Sequence, residues 1–211
     1  MKKKISIALV FHYSYYFRLF LISRFSTPYC RILLRLKGVK VGHGSTFIGV
    51  PFVYLFPDSK ISMGRCTEIR TAQISNFIGI NRRTTISTHS KYAQILVGDN
   101  CGMSGVVIGA KQSILIGNNV LIGANVLITD FDWHSIDAVA RNQGASSESK
   151  PVIIADNVFI GYSATILKGV SIGENSVIGA NSVVTSNIPA NVIAAGNPCR
   201  IISGIGNEKK F

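Results

Sequence analysis

Acidic residues are scarce in this sequence, and none occurs before Asp58. The chain has 22 lysines and arginines against 10 acids, and nine of those basic residues lie within residues 1–40 among apolar and aromatic neighbours. Such a segment favours an anionic membrane surface or an anionic ligand. Packing of its apolar face on a main domain is an equal alternative. A nucleic-acid partner is not expected, because no helix-turn-helix, zinc-finger or RNA-binding signature is present.

Cysteines are few and isolated, at positions 30, 66, 101 and 199. The absence of any CxxC pair argues against a zinc site, and the scattered pattern is typical of a reducing compartment.

A GxxxxGK[ST] phosphate loop is also missing, so use of ATP or NAD is not expected. Disorder is excluded because hydrophobic residues make up 47% of the chain and charged residues only 15%.

Long apolar runs are absent as well. The start of the chain superficially resembles a signal peptide, but the apolar run from Ile5 to Phe11 is short and no small-x-small cleavage site follows. No uncharged run reaches the roughly 18 residues that a spanning helix needs. The sequence therefore predicts a cytoplasmic protein, and the basic N-terminus leaves open contact with the inner membrane surface.

What the sequence does have is a six-residue period in its aliphatic residues. A helix repeats every 3.6 residues and a strand every two, so this period fits neither as one continuous element. It fits a coil of three short strands and three corners, whose inward aliphatic residues stack on their copies in neighbouring coils. Asparagine recurs three places later and tolerates the left-handed backbone of a sharp corner. The aliphatic positions include Ile116, Ile122, Ile128, Ile154, Ile160, Ile166, Ile172, Ile178 and Val184, and the asparagines Asn100, Asn119, Asn125, Asn157, Asn175 and Asn181.

These Ile-Gly-x-x-x-x repeats resemble those of the hexapeptide-repeat acyltransferases, sugar O-acetyltransferase type. The resemblance implies an all-β fold, a left-handed parallel β-helix, over residues 38–203. Its handedness is not given by the spacing, because parallel crossovers are normally right-handed. Residues 1–37 are expected to form an N-terminal helical segment in which Pro28 divides two apolar stretches. Residues 204–211 are expected to form a C-terminal tail.

One loop, residues 129–151, interrupts the repeat and holds the only tryptophan of the chain. Solenoids often carry such insertions on the binding face. Asp130-x-Asp132-x-His134 resembles the catalytic loop of this family, where the histidine is the general base that takes a proton from a sugar hydroxyl. Asp132 or Asp130 would then orient the His134 ring, although aspartate is also a common turn residue. Trp133 would stack on the acceptor sugar or anchor the loop.

The remaining site residues are assigned by the same resemblance. Ser104 falls near the position of a polar acceptor-binding residue, with a turn serine as the alternative. Arg200, in a segment that resembles the capping turn of acetyl-CoA-dependent members, matches a basic residue that meets the nucleotide phosphates. Tyr162 departs from the family pattern, in which a small residue is usual. The positions that match contacts along the pantetheine arm are Gly161, Tyr162, Ala180, Thr185 and Ser186.

The resemblance thus implies acetyl-CoA as the donor, no metal, and a sugar or lipid-linked glycan as the acceptor. It also implies a homotrimer with its active site between two prisms. The expected role is surface polysaccharide biosynthesis. Two alternatives stay open: N-acetylation of an amino sugar nucleotide by the same base, and a non-catalytic hexapeptide-repeat scaffold. A three-histidine zinc site is disfavoured because only His134 is suitably placed.

Overall fold

The computed structural model describes residues 6–206, namely two α-helices, a short 3-10 helix at Gln73–Ser75 and 20 strands. The basic residues Lys2, Lys3 and Lys4 and most of the expected C-terminal tail lie outside the described residues. The helices are α1 (Ile7–Leu36) and α2 (Ala138–Asn142). The strands are β1 (Lys40–Val41), β2 (Thr46–Ile48), β3 (Phe52–Tyr54), β4 (Lys60–Met63), β5 (Glu68–Arg70), β6 (Thr85–Thr88), β7 (Gln94–Val97), β8 (Gly102–Ser104), β9 (Val107–Ala110), β10 (Ser113–Ile116), β11 (Leu121–Ile122), β12 (Leu127–Thr129), β13 (Val152–Ile154), β14 (Phe159–Ile160), β15 (Thr165–Ile166), β16 (Ser171–Ile172), β17 (Val177–Ile178), β18 (Val183–Val184), β19 (Val192–Ala195) and β20 (Arg200–Gly204).

Strands three apart in the chain pair in parallel, so the backbone visits three faces in every coil. Sheet A has the order β1-β4-β7-β10-β13-β16, sheet B begins β2-β5-β8-β11-β14-β17, and sheet C contains β3, β6, β9, β12, β15 and β18. The hairpin of β19 and β20 extends sheet B and ends the prism. The predicted fold class, a left-handed parallel β-helix with an N-terminal helical segment, is confirmed.

The interior consists of aliphatic columns, one from each face. In sheet C, for example, strand pairing aligns Ile86, Ile108, Ile128 and Ile166, and all four are buried. The six predicted asparagines adopt positive φ angles between 56° and 64°, as the spacing required. Four of them also form a side-chain ladder in which each amide donates to the next asparagine, at distances of 2.9 to 3.2 Å including the step to Asn191. Neighbouring coils are therefore joined by aliphatic packing in the interior of the prism and by asparagine hydrogen bonds at one of its corners.

Helix α1 covers the first coil of the prism. Its Cys30 and Leu34 are buried in the core, and the backbone amide of Phe47 donates to Thr27 Oγ1 at 3.0 Å. Pro28 lies inside this single continuous helix, so the expectation that it divides two stretches was wrong. Packing of the buried face against β2 outweighs the one helix hydrogen bond that proline removes. Within residues 6–206, no helix combines the length and the apolar composition needed to span a bilayer.

Candidate active site

The loop that interrupts the repeat leaves the prism between β12 and β13, where the strands of sheet C end. Its base is closed by a bridge between Phe131 and Ser149, and the Lys150 amide donates to the Asp130 carbonyl at 2.7 Å. Inside the loop, the Asp137 side chain caps α2 by accepting from the Ala140 amide at 2.7 Å. The loop is thus held by hydrogen bonds at its base and within it, and it starts and ends at one edge of sheet C.

Asp130 anchors the start of this loop. Its side chain is fully buried, and its two oxygens accept from the backbone amides of Lys111 and Gln112 at 2.7 and 2.8 Å. Burial raises the pKa of the Asp130 carboxyl, while these amides act in the opposite direction. Both oxygens are therefore occupied by the preceding coil rather than by His134.

Asp132 ties the loop to the following coil. Its carboxylate pairs with Lys168, which also donates to Glu148 Oε2 at 2.7 Å, and Lys150 approaches Glu148 at 2.9 Å. The two lysines lower the pKa of Glu148 to about 2, with the Lys168 hydrogen bond as the larger cause. This network joins both ends of the loop. Among the hydrogen bonds of residues 6–206, none connects His134 to Asp130 or Asp132.

His134 itself is exposed. The residue before it, Trp133, is 48% exposed and packs with its indole over Gly109 of β9. The ring lies 4.7 Å from Phe131 and meets His89 edge-on at 5.0 Å between centroids. The Trp133 ring therefore packs against sheet C next to His134 in the sequence.

The sequence had not indicated His89 as part of this region. Its Nε2 lies 2.8 Å from Ser87 Oγ, and burial lowers the pKa of the imidazole while Asp130 opposes the shift. Neither motif nor period marks His89 or Phe131. His89 meets Trp133 only because the register of sheet C brings the ends of β6, β9 and β12 together, whereas Phe131 lies two residues before Trp133 on the loop.

Gly109→Ala tests whether the packing of the Trp133 indole over Gly109 is needed for activity. An added Cβ would lie 2.9 Å from Trp133 Cζ2, so the indole must move. We expect red-shifted tryptophan emission and a loss of turnover of about 10- to 100-fold, since small displacements of catalytic groups are costly. Gly102→Ala is the control, because its Cβ meets only the flexible Leu121 side chain. Unchanged emission and turnover in Gly109→Ala would contradict this role.

Other predicted residues lie at the opposite edge of sheet C, where its strands begin. Ser104 ends β8, is buried, and accepts from Asn76 Nδ2 at 3.2 Å. Gly161 and Tyr162 follow β14, and Ala180 lies one coil further on at the same corner. A Cβ on Gly161 would lie 2.6 Å from the Ala180 nitrogen, so the two coils approach closely there. Ala180 is exposed and Tyr162 is half-buried.

Thr185 and Ser186 follow β18 directly, at the edge of sheet C from which the loop leaves, and both are exposed. Arg200 begins β20 in the terminal hairpin, where it is exposed and its Nη1 donates to the Cys199 carbonyl at 2.8 Å. Thr185 and Ser186 therefore share an edge with the loop, whereas Arg200 lies on the closing hairpin.

Apart from Arg200, the predicted site residues thus form two groups. His134, Trp133, Asp130, Asp132, Thr185 and Ser186 lie where sheet C strands end, and Ser104, Gly161, Tyr162 and Ala180 lie where they begin. The strands of sheet C are two to four residues long, and each residue advances about 3.3 Å. Along the strands, the edge that carries the loop and the edge that carries Ser104, Gly161 and Ala180 are therefore about 7 to 13 Å apart. Within residues 6–206, no group of three or more histidine, cysteine or acidic side chains is arranged to hold a metal.

Comparisons with known proteins find related sequences for part of the chain. Residues 113–130 and 151–186 match the family model described as a hexapeptide repeat of succinyl-transferase. Galactoside O-acetyltransferase of Escherichia coli K12 is 46% identical over 98 residues, which cover 46% of this chain and 47% of the relative. A putative lipopolysaccharide biosynthesis O-acetyl transferase of the same strain is 35% identical over 128 residues, covering 56% and 64%. The chain thus spans about half the length of the first relatives that it matches.

Among solved structures, the chain is similar to AntD, an N-acyltransferase from Bacillus cereus in complex with dTDP and 3-hydroxybutyryl-CoA. The similarity covers 85% of this chain and 89% of that chain, with a TM-score of 0.64. The sequences are 19% identical. At that identity, the likeness concerns the fold.

Proposed function

We propose that the chain belongs to the hexapeptide-repeat acyltransferase family and transfers an acetyl group from acetyl-CoA to a sugar hydroxyl, with His134 as the general base. The observation that carries the proposal is an exposed histidine on a loop that is fixed on both sides. Asp130 and Trp133 hold that loop to the preceding coils, and Asp132 holds it to the following one. Because the loop is held in place, His134 is preorganised to contact a substrate that binds outside the prism.

The chemistry requires one proton transfer in each direction. Neutral His134 accepts the proton of the sugar hydroxyl while the oxygen attacks the thioester carbonyl carbon. The resulting oxyanion collapses, the carbon–sulfur bond breaks, and the protonated imidazole returns the proton to the CoA thiolate. A donor to the oxyanion would lower the barrier further. The products are the O-acetyl sugar and free CoA.

The donor side of the proposal rests on the corner formed by Gly161 and Ala180. A side chain at position 161 would meet the Ala180 backbone, so the two coils stack closely there, and the small exposed side chain of Ala180 leaves room for a thin pantetheine arm. Exposed Arg200 is available for nucleotide phosphates. Tyr162 is the residue that fits least well, because its half-buried ring stands where a small side chain is usual.

We further propose that the functional unit is a homotrimer. His134 and the Gly161–Ala180 corner lie at opposite edges of sheet C, which supports a site that a neighbouring prism completes. Three-fold symmetry presents the end of sheet C in one protomer to the start of sheet C in its neighbour. In that arrangement, His134 of one protomer serves CoA held by the next.

We propose a sugar of a surface polysaccharide, or its lipid-linked precursor, as the acceptor. The names of the two E. coli relatives support a sugar hydroxyl and a role in polysaccharide biosynthesis. A lipid-linked acceptor would require the enzyme to work against the inner face of a membrane. N-acetylation of an amino sugar nucleotide would use the same base, but the likeness to AntD concerns the fold and does not favour it. No specific observation favours the scaffold alternative.

The test is an acceptor-dependent release of CoA. Purified protein is incubated with acetyl-CoA and a panel of sugars, offered free, as nucleotide sugars and as lipid-linked glycans, and the thiol is followed with a coloured reagent. We expect release only with a matching sugar, and mass spectrometry should find one added acetyl group on it. If CoA does not bind at all, the enzyme proposal is wrong and the scaffold takes its place.

A further inference from the structure

Helix α1 presents a second apolar face, turned away from the prism that it covers. Residues four, three and four positions apart share one side of a helix, and this spacing links Phe25, Tyr29, Ile32 and Leu36. Phe25 is 71%, Ile32 63% and Leu36 80% exposed. The same spacing continues toward the N-terminus through Ile7 and Phe11, which are also exposed. We call these six residues the outer stripe.

Cations border the outer stripe. Arg24 and Arg35 are exposed and lie along one side of it, and Arg18 lies within its line. Exposed Lys40 follows the end of the helix, while the Lys37 ammonium group donates to the Val53 carbonyl of the prism at 2.9 Å. Asp58 is the first acidic residue of the chain, so no carboxylate on α1 balances this charge. The outer surface of the helix therefore combines aromatic and aliphatic side chains with uncompensated positive charge.

A second copy of this chain is a poor partner for that surface. Interfaces between proteins exclude unpaired charge from their centres, so the arginines would need carboxylates from the other copy. Most carboxylates of the described residues already have partners: Asp58 with Lys91, Glu68 with Arg70, Asp99 with Arg65, Asp132 and Glu148 with Lys168, and Asp130 with backbone amides. Lipid phosphates offer the missing negative charge, and an acyl boundary accepts the apolar side chains.

We propose that the outer face of α1 docks on an anionic lipid bilayer. The outer stripe inserts at the level of the headgroups, aromatic rings lie in the interface, and Arg24 and Arg35 extend to lipid phosphates. The helix lies along the surface and does not cross it. Because α1 covers one end of the prism, the proposed trimer would present three such helices to one membrane plane, which strengthens weak individual contacts. The inference goes beyond the transfer reaction and does not depend on it.

Vesicle flotation tests the proposal with the full-length protein and no acetyl-CoA. One set of vesicles is pure phosphatidylcholine, and the other is an equimolar mixture of phosphatidylcholine and phosphatidylglycerol. We expect flotation with the mixture and little with phosphatidylcholine alone. Arg24→Gln/Arg35→Gln should weaken binding about 25-fold, since each basic residue near an anionic surface contributes about fivefold. Phe25→Gln/Ile32→Gln should weaken it about tenfold or more.

Matched controls change the same side-chain types elsewhere. Lys60→Gln/Lys91→Gln removes the same charge from exposed positions outside α1, and Leu121→Gln places glutamine at an exposed apolar position of sheet B. Both should float like the parent. Equal flotation of parent and α1 variants would overturn the proposal, as would its absence in the parent. A drop in oligomer size for Phe25→Gln/Ile32→Gln would instead identify this face as a contact between copies. Acetyl transfer to a free sugar is measured separately, so failure of docking and failure of the proposed reaction are distinguished.

Discussion

Replacement of His134 by alanine is expected to lower kcat for acetyl transfer by about 10²- to 10⁴-fold, the range for loss of a general base. The acceptor hydroxyl is a weak nucleophile until its proton is removed, and no other imidazole lies on the loop. The KM for acetyl-CoA should change little, because the base acts on the acceptor. Steady-state kinetics with the sugar found in the acceptor panel provide the measurement.

The control is His43→Ala, which removes another exposed imidazole from a corner of the first coil. It should leave kcat unchanged. His134 is exposed and has no hydrogen-bond partner within residues 6–206, so His134→Ala should unfold at the temperature of the parent. Retention of most of the parent's turnover by His134→Ala would show that this histidine is not the base.

Asp130→Ala is expected to cost about 3–5 kcal/mol of unfolding free energy, because two amides lose their acceptor and remain partly buried. Lys111 and Gln112 would both be left without their partner. The base of the loop would loosen, and turnover should fall with it. Denaturant unfolding of parent and variant at one protein concentration gives the difference, since oligomers unfold in a concentration-dependent way.

Two further variants serve as comparisons for the loss of unfolding free energy in Asp130→Ala. Asp130→Asn keeps one acceptor oxygen but turns an NH₂ group toward the other amide, so it should lose an intermediate amount. Asp137→Ala removes a carboxylate from the same loop, but an exposed one that caps only the short helix α2. Its cost should stay near 1 kcal/mol or below. If Asp130→Ala costs no more than Asp137→Ala, the loop is held chiefly by other contacts.

The repeat made much of this fold predictable. A period of six fixes which aliphatic residues face inward, and the recurrent asparagine fixes where the backbone takes positive φ, so columns and corners followed directly. The continuity of α1 through Pro28 did not follow, because it depends on burial of Cys30 and Leu34 against a coil formed later in the chain. Local propensity alone contains no such information.

The candidate site was less predictable for a related reason. Asp132 or Asp130 was expected to orient His134, yet the partners of Asp130 are backbone amides 18 and 19 positions earlier, one coil away. Backbone amides leave no trace in a residue pattern. His89 was similarly hidden, since its neighbour Trp133 lies 44 positions away and only the coil register joins them. The role of His134 stays a prediction, because it depends on a substrate and a neighbouring protomer.

Mixing two inactive variants tests the account most directly. His134→Ala lacks the proposed base, and Ala180→Trp blocks the corner proposed for pantetheine, so each should be inactive alone. Trimers that contain both are isolated through two different affinity tags. Each mixed trimer has one site with an intact His134 facing an intact Ala180 of its neighbour, so turnover should return to about one third of the parent's. Mixed trimers that stay as inactive as either variant would contradict a site shared between two prisms.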